Sequence, residues 1–139
     1  MNLGTRITDK KVKESQDFAK KKDLPVLKNV LLPRKKGFMA TMKGLRNSVD
    51  AVYDMTVVYG DGKSYRPALS DLVLRRGFDI HLHVRRYPIK DIPQNEEELD
   101  KWLNKVWQAK DDAVEYLLKN GKFPDQQDEP YRHVPLLLQ

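Results

Sequence analysis

Ala51-Val52-Tyr53-Asp54-Met55-Thr56-Val57-Val58-Tyr59, closed by Gly60-Asp61-Gly62, is the stretch from which the rest of the chain is read. It is rich in β-branched and aromatic residues and ends on turn formers, which predicts a strand. Immediately upstream, Gly37 opens a segment in which Phe38, Thr41, Met42 and Leu45 recur at three- and four-residue spacing. That spacing predicts a helix over roughly 37–47. Before it, Pro25-Val26-Leu27-Lys28-Asn29-Val30-Leu31-Leu32-Pro33 reads as a short buried strand between two prolines. Strand, helix, strand in this order is the pattern of a parallel sheet with crossover helices. The expected class is therefore α/β, with a partial mixed or parallel sheet and flanking helices.

Further outward, residues 9–22 predict a helix with Asp9 as N-cap and Val12, Ser15, Phe18 and Ala19 on one stripe. Lys10, Lys11, Lys13, Lys20, Lys21 and Lys22 make it strongly basic, and Asp23 with Pro25 ends it. Downstream, residues 60–77 read as a loop with one weak element at Leu72-Val73-Leu74. Phe78 to Tyr87 is a second strand, with Phe78, Ile80, Leu82 and Val84 facing one way and His81, His83 and Arg85 the other. Residues 95–120 form the longest helix, capped by Asn95, led by Glu96, Glu97 and Glu98, and ended by Asn120-Gly121. Its stripe runs Leu99, Trp102, Leu103, Val106, Trp107, Ala113, Val114, Leu117 and Leu118, a pattern of core packing. The tail, with Pro124, Pro130 and Pro135, is expected to be irregular.

Composition narrows the chemistry. The 139 residues carry a formal net charge of +6, which favours anionic partners such as phosphates or an acidic membrane surface. No nucleic-acid motif or aromatic platform accompanies that charge, so nucleic acid is not an expected partner. There is no cysteine, which excludes disulfides, thiolate nucleophiles and cysteine-based zinc sites. No apolar run approaches the roughly 18 residues of a membrane span, and the amino terminus lacks a signal-peptide core. Membrane contact made by these residues would be peripheral.

Two segments could hold a phosphate. Gly4-Thr5-Arg6 offers close backbone approach, a hydroxyl donor and a bidentate guanidinium, although alone it reads rather as a frayed terminus. Pro33-Arg34-Lys35-Lys36-Gly37-Phe38 places cations at the end of a predicted strand and the start of a predicted helix, where anions bind; the alternative is a solvated basic turn. His81 and His83 share a strand face, but no third and fourth ligand is near in sequence and Arg85 and Arg86 crowd them with positive charge. That face is expected to meet a neighbouring element or an acidic group instead. No nucleophile elbow, P-loop or G-x-G-x-x-G occurs.

Taken together and in order, these blocks resemble the lysophosphatidic acid acyltransferases, in particular the branch with the lysocardiolipin and plant endoplasmic-reticulum members. That branch has Glu-Gly-Thr-Arg, then a basic helix with Ser-x-x-Phe-Ala, then Leu-Pro-x5-Leu-x-Pro-Arg-Thr-x-Gly-Phe. This chain reads Gly4-Thr5-Arg6, then Ser15-Gln16-Asp17-Phe18-Ala19, then Leu24-Pro25 through Leu32-Pro33-Arg34-Lys35-Lys36-Gly37-Phe38. A strand like Ala51 to Val57, a His-x-His-x-x-Arg-Tyr strand matched by His81, His83, Arg86 and Tyr87, and a tryptophan-bearing helix follow. The likeness spans Gly4 to about Phe123.

The resemblance implies the carboxy-terminal half of a glycerolipid acyltransferase fold plus a long carboxy-terminal helix. Residues 1–60 would be the end of the acyltransferase core and residues 61–139 a C-terminal domain. It implies acyl transfer from acyl-CoA to a lysophospholipid, with acyl-CoA as co-substrate and no cofactor. Gly4, Thr5 and Arg6 map to the acceptor-phosphate block and Pro33 to the last core motif, and Arg34 and Lys36 are added as anion contacts. The family's catalytic His-x4-Asp is absent: the fifth residue after His81 is Arg86, after His83 Pro88, after His133 Leu138. Leu3 replaces the glutamate. The expectation is a fragment that does not turn over alone, the alternative being a non-catalytic basic module that binds anionic lipid or a partner protein, with membrane association at the endoplasmic reticulum or, alternatively, a mitochondrial membrane.

Overall fold

The computed structural model describes residues 7–60 and 79–125. Helix α1, Asp9–Lys21, is capped one residue before the predicted position: Thr8 is extended and its hydroxyl accepts the N–H of Lys11, leaving Asp9 in the first turn. It ends because Asp23 takes a left-handed conformation, φ 53°, while the N–H of Leu24 donates back to Ala19. Ala19 is buried, but Phe18 of the predicted stripe is exposed.

The predicted strand over residues 25–33 is not one. It is a strap, bent at residues 28–30, with no sheet partner among the described residues, and several of its backbone groups are taken by side chains. The Asp111 carboxylate accepts the N–H of Lys28, Asn29 and Val30, Ser15 Oγ accepts that of Leu32, and Gln16 Nε2 donates to the carbonyl of Leu27. Trp107 Nε1 donates to the carbonyl of Leu31. The apolar run was legible in the sequence; the partners that replace a strand ladder come from two distant helices.

Helix α2, Lys35–Leu45, starts two residues earlier than its spacing suggests. It leads into β1, Ala51–Tyr59, which pairs with β2, Ile80–Pro88. The pair is antiparallel, from Ala51 opposite Pro88 to Tyr59 opposite Ile80. Parallel pairing is absent among the described residues, because the strap before α2 never joins the sheet. A 3-10 turn, Ile89–Asp91, then redirects the chain. Arg46 holds that turn with its guanidinium, donating to the carbonyls of Ile89, Ile92 and Pro93.

Helix α3, Glu96–Asn120, matches its sequence signals closely. The Asn95 side chain accepts the N–H of Glu97 and Glu98, and Gly121 caps the far end at φ 75°, a conformation that favours glycine. Leu99, Leu103, Val106, Ala113, Val114 and Leu117 are buried. One core cluster joins Met42, Ile92 and Leu99, edged by Phe38, Val52, Tyr87 and Trp102. Trp102 stacks on Phe38 at 6.0 Å and meets Tyr87 edge-on at 5.2 Å. A second cluster joins Ala113, Leu117 and Phe123, with Val58 against it. No helix among the described residues is long and apolar enough to cross a membrane.

Candidate functional site

The strap runs between α1 and α3, and an open cleft of about 630 Å³ lies along it. Its floor is apolar, from Val30, Leu31, Leu32, Pro33, Ile7 and Trp107; Lys11 and Arg34 bring positive charge to it, Glu14 is the one acid that lines it, and the charge of Lys110 is matched by Asp54. Each wall has a local cause. Lys11, Glu14 and Ser15 come from successive turns of α1. The strap presents Val30 to Arg34 because Asp111 pins the residues just before them. Trp107 and Lys110 lie one turn apart on α3, and the Lys110 ammonium sits 4.7 Å from the Trp107 ring centroid.

Lys110 is also bound from below. It forms an ion pair with Asp54 of β1 in which each side chain is only 12% exposed, and it donates to the carbonyl of Met55 at 3.4 Å. The cleft thus connects to the sheet through one lysine.

Of the residues singled out from sequence, Pro33 and Arg34 both line this cleft, and Lys36 is exposed and does not. Gly4, Thr5 and Arg6 lie outside the described residues; Ile7, the next residue in the chain, lines the same cleft as Pro33 and Arg34. Lys35, the middle cation of that basic segment, is engaged by Asp100 of α3 at 2.7 Å. Arg34 is the residue before α2, and the first turn of that helix contains no acid. The cations at the positive end of the helix dipole are answered in part from outside the helix, by Asp100 of α3.

Trp107, Lys110 and Lys11 were not recognised as site residues. Trp107 lay on a helical stripe that reads as core, and Lys11 in a run that reads as a solvated face. His81 and His83 do face another element: His83 stacks on Phe123 at 4.8 Å, and both His83 and Arg85 approach the Asp125 carboxylate, at 3.7 and 3.8 Å. Among the described residues no three histidine, aspartate or glutamate side chains gather to hold a metal.

The family model described as "Acyltransferase C-terminus" matches residues 71–138. The chain is 42% identical over 135 residues to 1-acyl-sn-glycerol-3-phosphate acyltransferase gamma from Homo sapiens, covering 97% of this chain and 35% of that protein. It is 42% identical over 122 residues to the delta protein from Homo sapiens, covering 88% and 32%. It is 39% identical over 127 residues to probable 1-acyl-sn-glycerol-3-phosphate acyltransferase 5 from Arabidopsis thaliana, covering 91% and 33%. The chain spans about a third of the length of these curated relatives. No solved structure matches it. With the cleft residues Pro33 and Arg34 inside the matched stretch of the gamma protein's likeness, this chain belongs to the 1-acyl-sn-glycerol-3-phosphate acyltransferase family and corresponds to its carboxy-terminal part.

Proposed function

We propose that the chain is the acceptor-binding part of an acyl-CoA-dependent lysophosphatidic acid acyltransferase. In the reaction, 1-acylglycerol 3-phosphate takes an acyl group from acyl-CoA to give phosphatidic acid and CoA. The observation that carries this reading is the cleft, which sets a cationic rim over an apolar floor and is lined by Ile7, Pro33 and Arg34 together. A lysophosphatidate has the complementary build: a phosphate for the guanidinium and ammonium groups, and an acyl chain for the strap and Trp107. Arg34 binds the phosphate as a fork and Lys11 adds charge.

These residues bind and orient; they do not move the proton. Deprotonating the acceptor hydroxyl requires a base, and the family's His-x4-Asp does not occur here. The purified chain therefore binds lysophosphatidate but gives no acyl transfer above buffer. The test is calorimetric titration with a short-chain lysophosphatidate and with its phosphate-free monoacylglycerol. Arg34→Ala should weaken the first by about tenfold, the loss of a charge-assisted contact worth about 1.4 kcal/mol, and leave the second unchanged. Equal loss for both, or turnover by the chain alone, would sink the reading.

A second role is favoured by α1, where Lys10, Lys11, Lys13, Lys20, Lys21 and Lys22 are all exposed. They fit a membrane-associated protein that rests a basic helix on an anionic surface, with the endoplasmic reticulum as the expected site and a mitochondrial membrane as the alternative. Sedimentation with vesicles containing phosphatidic acid should pull the chain down, and neutral vesicles should not.

A further inference from the structure

Among the described residues, the sheet is covered on one side only, and on its polar side. Asp54 with Arg85, Thr56 with His83, and Val58 with His81 are cross-strand pairs on the face toward α3, where Asp54 meets Lys110, Val58 joins the Ala113–Leu117–Phe123 cluster and His83 lies on Phe123. The other face carries Met55 opposite Val84, Val57 opposite Leu82 and Tyr59 opposite Ile80, with Tyr53 opposite Arg86 at its end. These seven apolar side chains are between 40% and 60% exposed. A sheet that keeps one face in water alternates the other way, apolar inward and polar outward. An apolar patch of this continuity marks an interaction surface.

We propose that this face is the seat of the rest of an acyltransferase of this family: the portion outside the third that the chain matches, packed on the sheet as a protein layer. The proposal rests on the family reading above. Two observations select this occupant. The relatives are about three times as long as the region shared with this chain, so most of each relative is available as a covering layer. And the ribbon has only two strands, each with an outer edge unpaired among the described residues. Hydrocarbon does not tolerate open strand edges, whereas a protein layer can both cover the face and extend the sheet.

The chain has no cysteine, so a single introduced thiol reports one position. Val57→Cys probes the apolar face, and Lys105→Cys, on the exposed side of α3, is the control. Maleimide labelling of the chain, read by mass, is compared alone and with the purified amino-terminal portion of the human gamma protein. With that portion at about ten times its Kd, Val57→Cys labelling should slow about tenfold, Lys105→Cys should not change, and adding Leu82→Lys should abolish the protection. The proposal is overturned if the portion fails to protect Val57→Cys or slows both thiols alike. It is equally overturned if Val57→Cys is already protected in the isolated chain, whether at all concentrations (cover by the chain itself) or only at high ones (a second copy), or if vesicles protect it and the protein portion does not. Because labelling does not read ligand binding, lost protection with intact lysophosphatidate binding counts against this surface alone, and the reverse counts against the cleft.

Discussion

Asp111, in the middle of α3, accepts the backbone N–H of Asn29 at 2.6 Å across 82 positions of sequence. The same buried carboxylate takes the N–H of Lys28 and Val30, so one side chain substitutes for the ladder of a missing strand. Asp111→Ala leaves those donors without a partner in a half-buried place. It should destabilise the chain by about 3 kcal/mol in urea titration, and Asp111→Asn, which keeps an acceptor, by less. It should also weaken lysophosphatidate binding, since residues 30–34 would no longer be held against the cleft. Unchanged stability in both variants would show that the strap is held by other means.

The Lys110–Asp54 pair makes a different prediction, because both partners are mostly removed from water. Lys110→Met strands a carboxylate under the sheet and should cost about 3 kcal/mol, as should Asp54→Leu in the opposite sense. The double variant should recover most of that loss, since an apolar pair of similar size needs no solvation. A double-mutant cycle by urea denaturation checks this; additive losses would mean that the two groups are not coupled.

The two tryptophans should separate by function. Trp102 packs between Phe38 and Tyr87, so Trp102→Phe should cost about 1–2 kcal/mol of stability and leave ligand affinity alone. Trp107 lines the cleft and donates to the Leu31 carbonyl at 2.9 Å. Trp107→Phe should weaken lysophosphatidate binding several-fold. In the Trp102→Phe background the remaining indole should report the ligand by a change in emission; no change on saturation would move the ligand elsewhere.

Acid should weaken the surface in a defined window. The hydrogen bond and charge of Lys43 hold Glu96 below the ordinary carboxyl value of 4.5, those of Lys101 do so for Glu97, and Lys119 followed by Lys28 for Glu115. Their folded values lie below the unfolded ones, so this stabilisation is complete above about pH 4.5 and is lost as pH falls through the lowered values. Lys101 runs the other way: Glu97 raises it above 10.5, so its contribution is present below that pH and fades as pH climbs through the raised value. Glu96, Glu97 and Lys101 are exposed and Glu115 is half-buried, so salt should screen most of the effect. The urea midpoint is expected to fall on acidification below pH 4.5, less so in Glu115→Gln and less so at high salt.

Most elements were legible because their signals are local. β1 carries its β-branched run from Ala51 to Tyr59, and α3 carries Asn95 at one end and Gly121 at the other, so their limits fall where the residues put them. The strap misled because Val26 to Leu32 has the apolar content of a strand. Whether its N–H groups meet another strand or a carboxylate depends on Asp111, more than 80 positions away. The cleft was half legible. Pro33 is found through the pattern it shares with a family and Arg34 through its place at a predicted helix start, whereas Trp107 reads as core because a helical stripe does not say where the core stops.

The sequence by itself determined the three helices and, of the three strands it predicts, the two found among the described residues, together with a basic surface, the absence of thiol chemistry and of a His-x4-Asp pair, and the kinship with acyltransferases. Only the tertiary structure decided that the strands run antiparallel, that the strap joins no sheet, and that Tyr53, Met55 and Val57 face outward while Asp54 and Thr56 face α3. The reason is physical. Alternation along a strand says which residues share a face, but the packing of α3 chooses which face is covered, and here Lys110 and Asp54 draw the polar side inward.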